Sequence, residues 1–239
     1  PGSACESYKM TTNSTSTIAG LTTVLKGLLE FPSEYLTDTQ KEKWQAMLKR
    51  IPPISTRICD GFSTISPAKS WERINNVEVP QLYPVFPWGI YGFGKPDLEL
   101  ALNTWNHDPE AIKVRSHVGW KQDNIFAARL GLTDEAFRLN MLKMVDSGRR
   151  FPAFWGPGFD WVPDHNWGGS GMIGLQEMLM QTIGDRIILF PAWLVAWDVT
   201  FKLHAPKNTT VEGVLSGGKL KSLRVTPESR RKDVQLMIK

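Results

Sequence analysis

The chain has 239 residues and a formal net charge of +4, with a pI of about 9.1. That length gives one large domain, or one large and one small, and a hydrophobic content of 41% allows a sizeable core. Lys and Arg are scattered, dense only at Lys219 to Lys221 and Arg230-Arg231-Lys232, so they read as surface solvation rather than a nucleic-acid stripe, and no apolar run reaches the ~18 residues of a membrane span.

Residues 1–16 are polar, with one carboxylate, Glu6. The chain starts Pro1-Gly2-Ser3 without Met and reads as a piece of something longer. The spacing of Ile18, Leu21, Leu25, Leu28 and Leu29 predicts a helix over 17–30. A second is predicted over 38–51, opened by a Thr37-x-x-Gln40 capping box and stopped by Pro52-Pro53. From Ser55 to Pro96 there is no helical period, and aromatics stand among prolines and glycines. A structureless loop this long is unusual unless it builds a site. Helices are then predicted over 97–106, 119–130 with Gly131 as its stop, and 133–147.

The organising stretch follows. Phe151 to Gly171 holds Trp155, Trp161 and Trp167 among Pro and Gly, then a polar triplet, Asp164-His165-Asn166, before a helix over 170–182. Aromatics this dense in a loop either extend the core as a plug or floor a cleft around one carboxylate. The second arrangement suits sugars, whose C–H faces pack on rings while a carboxyl group does acid–base work. After Gly184 the pattern turns to strands: Ile187 to Pro191, an alternating 199–205, a hairpin turning at Gly217-Gly218, and a last strand at Val234 to Met237. Cys5 and Cys59 fit no metal or redox spacing and are either a pair or two free thiols.

Several stretches together carry a resemblance. They are Asp164-His165-Asn166-Trp167-Gly168-Gly169 with Gly174-x-x-Glu177-Met178-Leu179-Met180-Gln181, Gly119-Trp120 with Ala127-Ala128-Arg129-Leu130-Gly131, Leu82-Tyr83 with Phe86-Pro87, and Pro191-Ala192-Trp193 with Trp197. In order and rough spacing the chain resembles glycoside hydrolase family 95, the 1,2-α-L-fucosidase family. The resemblance implies a mainly α fold: three helical hairpins forming half of an (α/α)6 toroid over 1–184, then a small β domain over 185–239. It implies an inverting α-glycosidase in an extracellular or periplasmic setting, needing neither cofactor nor metal. Its partners would be a carbohydrate substrate and the missing N-terminal half of the same polypeptide, not nucleic acid or membrane. A non-catalytic carbohydrate-binding relative and another enzyme of toroid type, such as a lyase or phosphorylase, are the alternatives.

The family's general acid maps to Glu6 and its second carboxylate to Asp164. Inverting hydrolysis wants two such groups ~6.5–9.5 Å apart, with room for a water. An apolar, Trp-lined pocket would favour the protonated form of Glu6, as an acid requires. Substrate contacts are expected from His165, Asn166, Tyr83, Trp88, His117, Trp120, Trp155, Trp161 and Trp167. Where the family usually has pocket histidines, this chain has Asn76-Val77-Glu78-Val79-Pro80-Gln81. Glu78 and Gln81 there either bind the hydroxyls of a different sugar or mark a degenerate pocket.

Overall fold

The polar opening stretch is a strand pair. In the computed structural model, which describes residues 2–145 and 165–238, β1 (Gly2–Ala4) folds back antiparallel on β2 (Tyr8–Ser14). The inward positions of β2 are Tyr8, Thr11 and Ser14, spaced by three, because Met10 and Asn13 take positive φ and turn the strand. The alternation that marks a strand is therefore broken, and two of its three inward residues are small and polar.

The chain divides into two compact units, Pro1–Arg115 and Ser116–Lys239. In the first, β2 runs straight into α1 (Thr15–Leu29), whose first residue is tied by its amide to Pro67 and by its hydroxyl to the Ser66 carbonyl at 2.5 Å. Ile18, Ala19 and Leu25 are its buried side. Next comes α2 (Asp38–Arg50), with the Thr37–Gln40 capping box formed in both directions. It packs beside α1, yet none of its residues is fully buried.

The stretch from 55 onward, aperiodic in the sequence, opens with short strands. A hairpin of β3 (Thr56–Cys59) and β4 (Phe62–Ile65) turns at Asp60-Gly61, both at positive φ. That dipeptide suits a two-residue turn, since Gly carries no Cβ to clash there. Two further strands, β5 (Ala68–Ser70) and β6 (Arg73–Ile74), each pair with β2. A 3-10 turn at Pro80–Leu82 leads on to α3 (Leu98–His107), which packs on β4 through the Thr104 hydroxyl, acceptor for the Ile65 amide at 2.8 Å. A short helix, α4 (Pro109–Val114), follows at once, with Asp108 capping the Ala111 amide at 2.9 Å.

Among the described residues, the second unit joins three α-helices to two sheets. They are α5 (Asp123–Arg129), α6 (Thr133–Met144) and α7 (His165–Leu179), packed on one another. Their junction is polar: the Asn124 amide donates to Asn140 at 3.0 Å and to the Ser170 carbonyl at 2.7 Å. Gly174 permits this approach, because a Cβ there would lie 2.1 Å from the Asn124 nitrogen. Helix α7 stops at Leu179 and the chain becomes β7 (Met180–Ile183), antiparallel to β8 (Arg186–Leu189). Three further strands, β9 (Val199–Ala205), β10 (Thr209–Ser216) and β11 (Lys219–Thr226), form an antiparallel sheet in the order β11-β10-β9, turning at Gly217-Gly218. Along β10, Thr209, Val211, Gly213 and Leu215 alternate inward. Last, β12 (Val234–Leu236) pairs parallel to β8.

The expected mainly α half-toroid is not the architecture. The protein is mixed α/β, with its strands in four sheets among the described residues. Helices stand near all six predicted places. What overturns the fold class is the strand content of the first unit and of residues 180–183, where strands of two to seven residues replace predicted loop or helix.

Candidate functional site

Glu6 lies in the turn between β1 and β2, so the hairpin puts its side chain at the surface. The turn is held from the 74–78 segment. The Glu6 amide donates to Glu78 Oε2 at 2.6 Å, the Ser7 hydroxyl donates to the same oxygen at 3.3 Å, and the Glu78 amide returns a bond to the Ser7 hydroxyl at 2.8 Å. Asn76 Nδ2 donates to Glu6 Oε2 at 3.1 Å, and Asn76 Oδ1 accepts from the Val77 amide at 2.8 Å. The carboxylate is thus exposed but oriented, and its bonded neighbour is an amide rather than the expected tryptophan wall.

Beside this turn lies a cavity of about 350 Å³, whose polar lining comes from Asn75, Asn76, Glu78, Glu110 and Lys113, with Tyr8 at its wall. Glu110 belongs to α4, and its placement depends on an ion cluster behind it. One guanidinium nitrogen of Arg57 lies 2.6 Å from Asp108 Oδ2 and 2.6 Å from Glu110 Oε2. Asp108 is wholly buried and also accepts from Gln81 Nε2 at 3.0 Å. The Arg57 guanidinium also lies 5.2 Å from the centre of the Trp71 ring, which meets Tyr8 edge-on at 5.5 Å. Burial opposes the guanidinium charge, but the bonds to Asp108 and then Glu110 more than offset it. The Tyr8 hydroxyl is pushed well above its ordinary value, first by burial and then by the charges of Asp108 and Glu110. Burial pushes the Cys5 thiol up as well, and Cys5 and Cys59 are both free.

The residues expected to contact substrate have the following surroundings. Gln81 is wholly buried as a donor to Asp108, and Glu78 is spent on the Glu6 turn. Tyr83 is half-buried, with its side chain hydrogen-bonded to the Cys5 thiol. Trp88 is half-buried against α1, where a Cβ on Gly20 would come within 2.9 Å of its ring. In the second unit Trp167 is 4% exposed, its indole donating to the Lys143 carbonyl at 2.9 Å, so it extends the core. His117 meets that ring edge-on at 6.1 Å. Burial, then the charges of Lys143 and Arg138, hold the imidazole below its ordinary range. Lys143 is buried and donates to the carbonyls of His117 and Gly119. Trp120 is 41% exposed with the Lys121 ammonium 5.5 Å from its ring centre. His165 and Asn166 open α7 and are exposed. Asp164, Trp155 and Trp161 lie outside the described residues.

The sequence reading missed Tyr8, Arg57, Asp108 and Glu110. Asp108-Pro109 before an apolar position is a helix-start signal that points to α4 and so to Glu110. Nothing in the sequence singles out Arg57. The groove between α1 and α2, about 760 Å³, is lined without a carboxylate, so it offers no acid–base pair. Among the described residues no cluster of His, Cys, Asp and Glu could hold a metal ion, and no helix is long and apolar enough to cross a membrane. No family model and no curated protein matches this chain.

Proposed function

We propose that the chain hydrolyses a glycosidic bond, with Glu6 as the proton donor to the leaving oxygen. The observation that carries this reading is the oriented, exposed carboxylate of Glu6, bonded to Asn76 and set on a turn clamped by Glu78, beside a cavity that Asn76 and Glu78 help to line. A carboxyl group near a sugar-sized cavity, held by one amide and with no bond to its other oxygen among the described residues, is suited to protonate a departing alkoxide. The resemblance to family 95 supplies the second carboxylate, Asp164, as the group that activates water. That assignment rests on the sequence, as does the inverting outcome.

The test is the dependence on leaving group. Glu6→Gln should slow cleavage of alkyl glycosides, about 10²-fold or more, while activated aryl glycosides lose much less, because only poor leaving groups need the proton. Asp164→Asn should slow both. Equal losses on the two substrate classes in Glu6→Gln would remove Glu6 from the acid role.

A further inference from the structure

We infer that the cavity walled by Tyr8, the 75–78 segment and α4 is the subsite for one neutral sugar ring, with Glu110 and Lys113 as the residues that hold it. The inference rests on the hydrolase reading and adds the substrate class and the residues that select it. A cavity of about 350 Å³ stands near the lower end of ligand-pocket sizes, about 300 Å³ upward, and so suits a single small ring rather than a chain.

The polar groups of the lining divide by what they already do. Asn76 and Glu78 are committed to the Glu6 turn through the bonds described above. Three groups remain for a ligand. Glu110 is bound to Arg57 through Oε2 alone, and its side chain is 31% exposed. The ammonium of Lys113 and the side-chain amide of Asn75 have no hydrogen-bond partner among the described residues. A fixed carboxylate accepts from two adjacent hydroxyls, an ammonium and an amide donate to ring or hydroxyl oxygens, and the exposed side chains of Ile74 and Val77 in the lining offer an apolar face. That set matches the vicinal hydroxyls of a pyranose.

Charge selects further. Glu78 and Glu110 line the wall against Lys113, and behind them the charge of Arg57 is offset by Asp108, so a uronate carboxylate meets net repulsion while a neutral sugar does not. Arg57 is a positioning residue. Its two bonds, at 2.6 Å each, leave Glu110 little freedom, so the ligand has little ordering cost to meet. Asn76 then joins this subsite to Glu6, since it lines the cavity and donates to the Glu6 carboxylate.

The experiment is a 1H–15N NMR titration of the whole chain with methyl α-glycosides of neutral hexoses and 6-deoxyhexoses, and with methyl α-glucuronide. It is repeated with Glu110→Ala and Lys113→Met after their urea midpoints have been matched to the parent. The expected result is a shift of the Asn75 side-chain amide with a neutral glycoside, a weaker response to the glucuronide, and affinity reduced about tenfold or more in either variant, the loss typical of one charge-assisted hydrogen bond. Shifts confined to other residues, tighter binding of the glucuronide, unchanged affinity in both variants, or no binding of any glycoside would each overturn the subsite. The same variants separate this inference from the hydrolase reading. Hydrolysis with unchanged KM in both variants removes the subsite and leaves the reaction standing. Binding at Asn75 with no hydrolysis removes the reaction and leaves the subsite.

Discussion

Replacing Asp108 by alanine removes the anchor on which both α4 and the carboxylate cavity depend. The side chain is wholly buried and accepts three bonds: from Arg57 at 2.6 Å, from Gln81 at 3.0 Å and from the Ala111 amide at 2.9 Å. Losing one partner of a buried ion pair costs about 3–5 kcal/mol. Arg57 keeps Glu110, which places this case at the lower end. Losing a helix N-cap adds about 1 kcal/mol, and stranding the buried Gln81 amide adds about 1 kcal/mol more. These terms overlap, so the expected loss is about 4 kcal/mol for Asp108→Ala. Asp108→Asn keeps an acceptor for the Ala111 amide and should cost about half as much, since a neutral bond replaces a charge-assisted one. The assay is equilibrium urea unfolding, read as a fall in midpoint at constant slope. A loss below about 1 kcal/mol for the alanine variant would refute the view that this cluster holds α4 in place.

Three further outcomes follow from the same geometry. Gly174→Ala should destabilise the second unit by about 2 kcal/mol or more, since overpacking and a broken Asn124–Asn140 bond outweigh the better helix propensity of Ala; a neutral or stabilising effect in urea unfolding would contradict the packing described. The Tyr8 hydroxyl holds its proton in the folded state beyond the ordinary value of about 10, whereas the unfolded chain releases it there, so its contribution is intact below pH ~10 and is lost as pH rises further. Tyr8→Phe should therefore flatten the alkaline fall in stability, leaving the shares due to Tyr91 and Cys5, which burial also raises; parallel slopes in parent and variant would count against it. His117 runs the other way: its folded form resists protonation, so stability should fall as pH drops below ~6.5, and His117→Gln should remove that acid slope in unfolding curves taken between about pH 7 and 5.

Local signals of one kind proved legible in the sequence. The Thr37–Gln40 capping box, the Gly131 stop, the Gly217-Gly218 turn and the strands after residue 186 all stand where pattern and turn chemistry place them. The strands of the first unit were illegible for a different reason. They are short, β6 being two residues, and no alternation can establish itself over such lengths. The three-residue inward spacing of β2 arises from positive φ at Met10 and Asn13, residues that carry no advance sign of it. The Asp60-Gly61 turn was readable, being flanked by β-branched and aromatic residues, and marks the hairpin that the aperiodic stretch conceals.

The site divides in the same way. Glu6 is conspicuous as the one carboxylate of its stretch, but Arg57 and Glu110 approach each other across more than fifty residues, and only the packing of β3 against the start of α4 brings them together. Tryptophan density suggested a stacking floor. Trp167 instead shows that an indole beside a polar triplet is spent on the core when its N–H finds a backbone carbonyl.

The most direct measurement is time-resolved 1H NMR of the chain incubated with an alkyl α-glycoside of a neutral sugar, followed at the anomeric proton. The sugar should be released with the β-anomer appearing first, before mutarotation, and that signal should be almost wholly lost in Glu6→Gln. Absence of any release by the parent protein, or release at an unchanged rate in Glu6→Gln, would contradict hydrolysis with Glu6 as the proton donor.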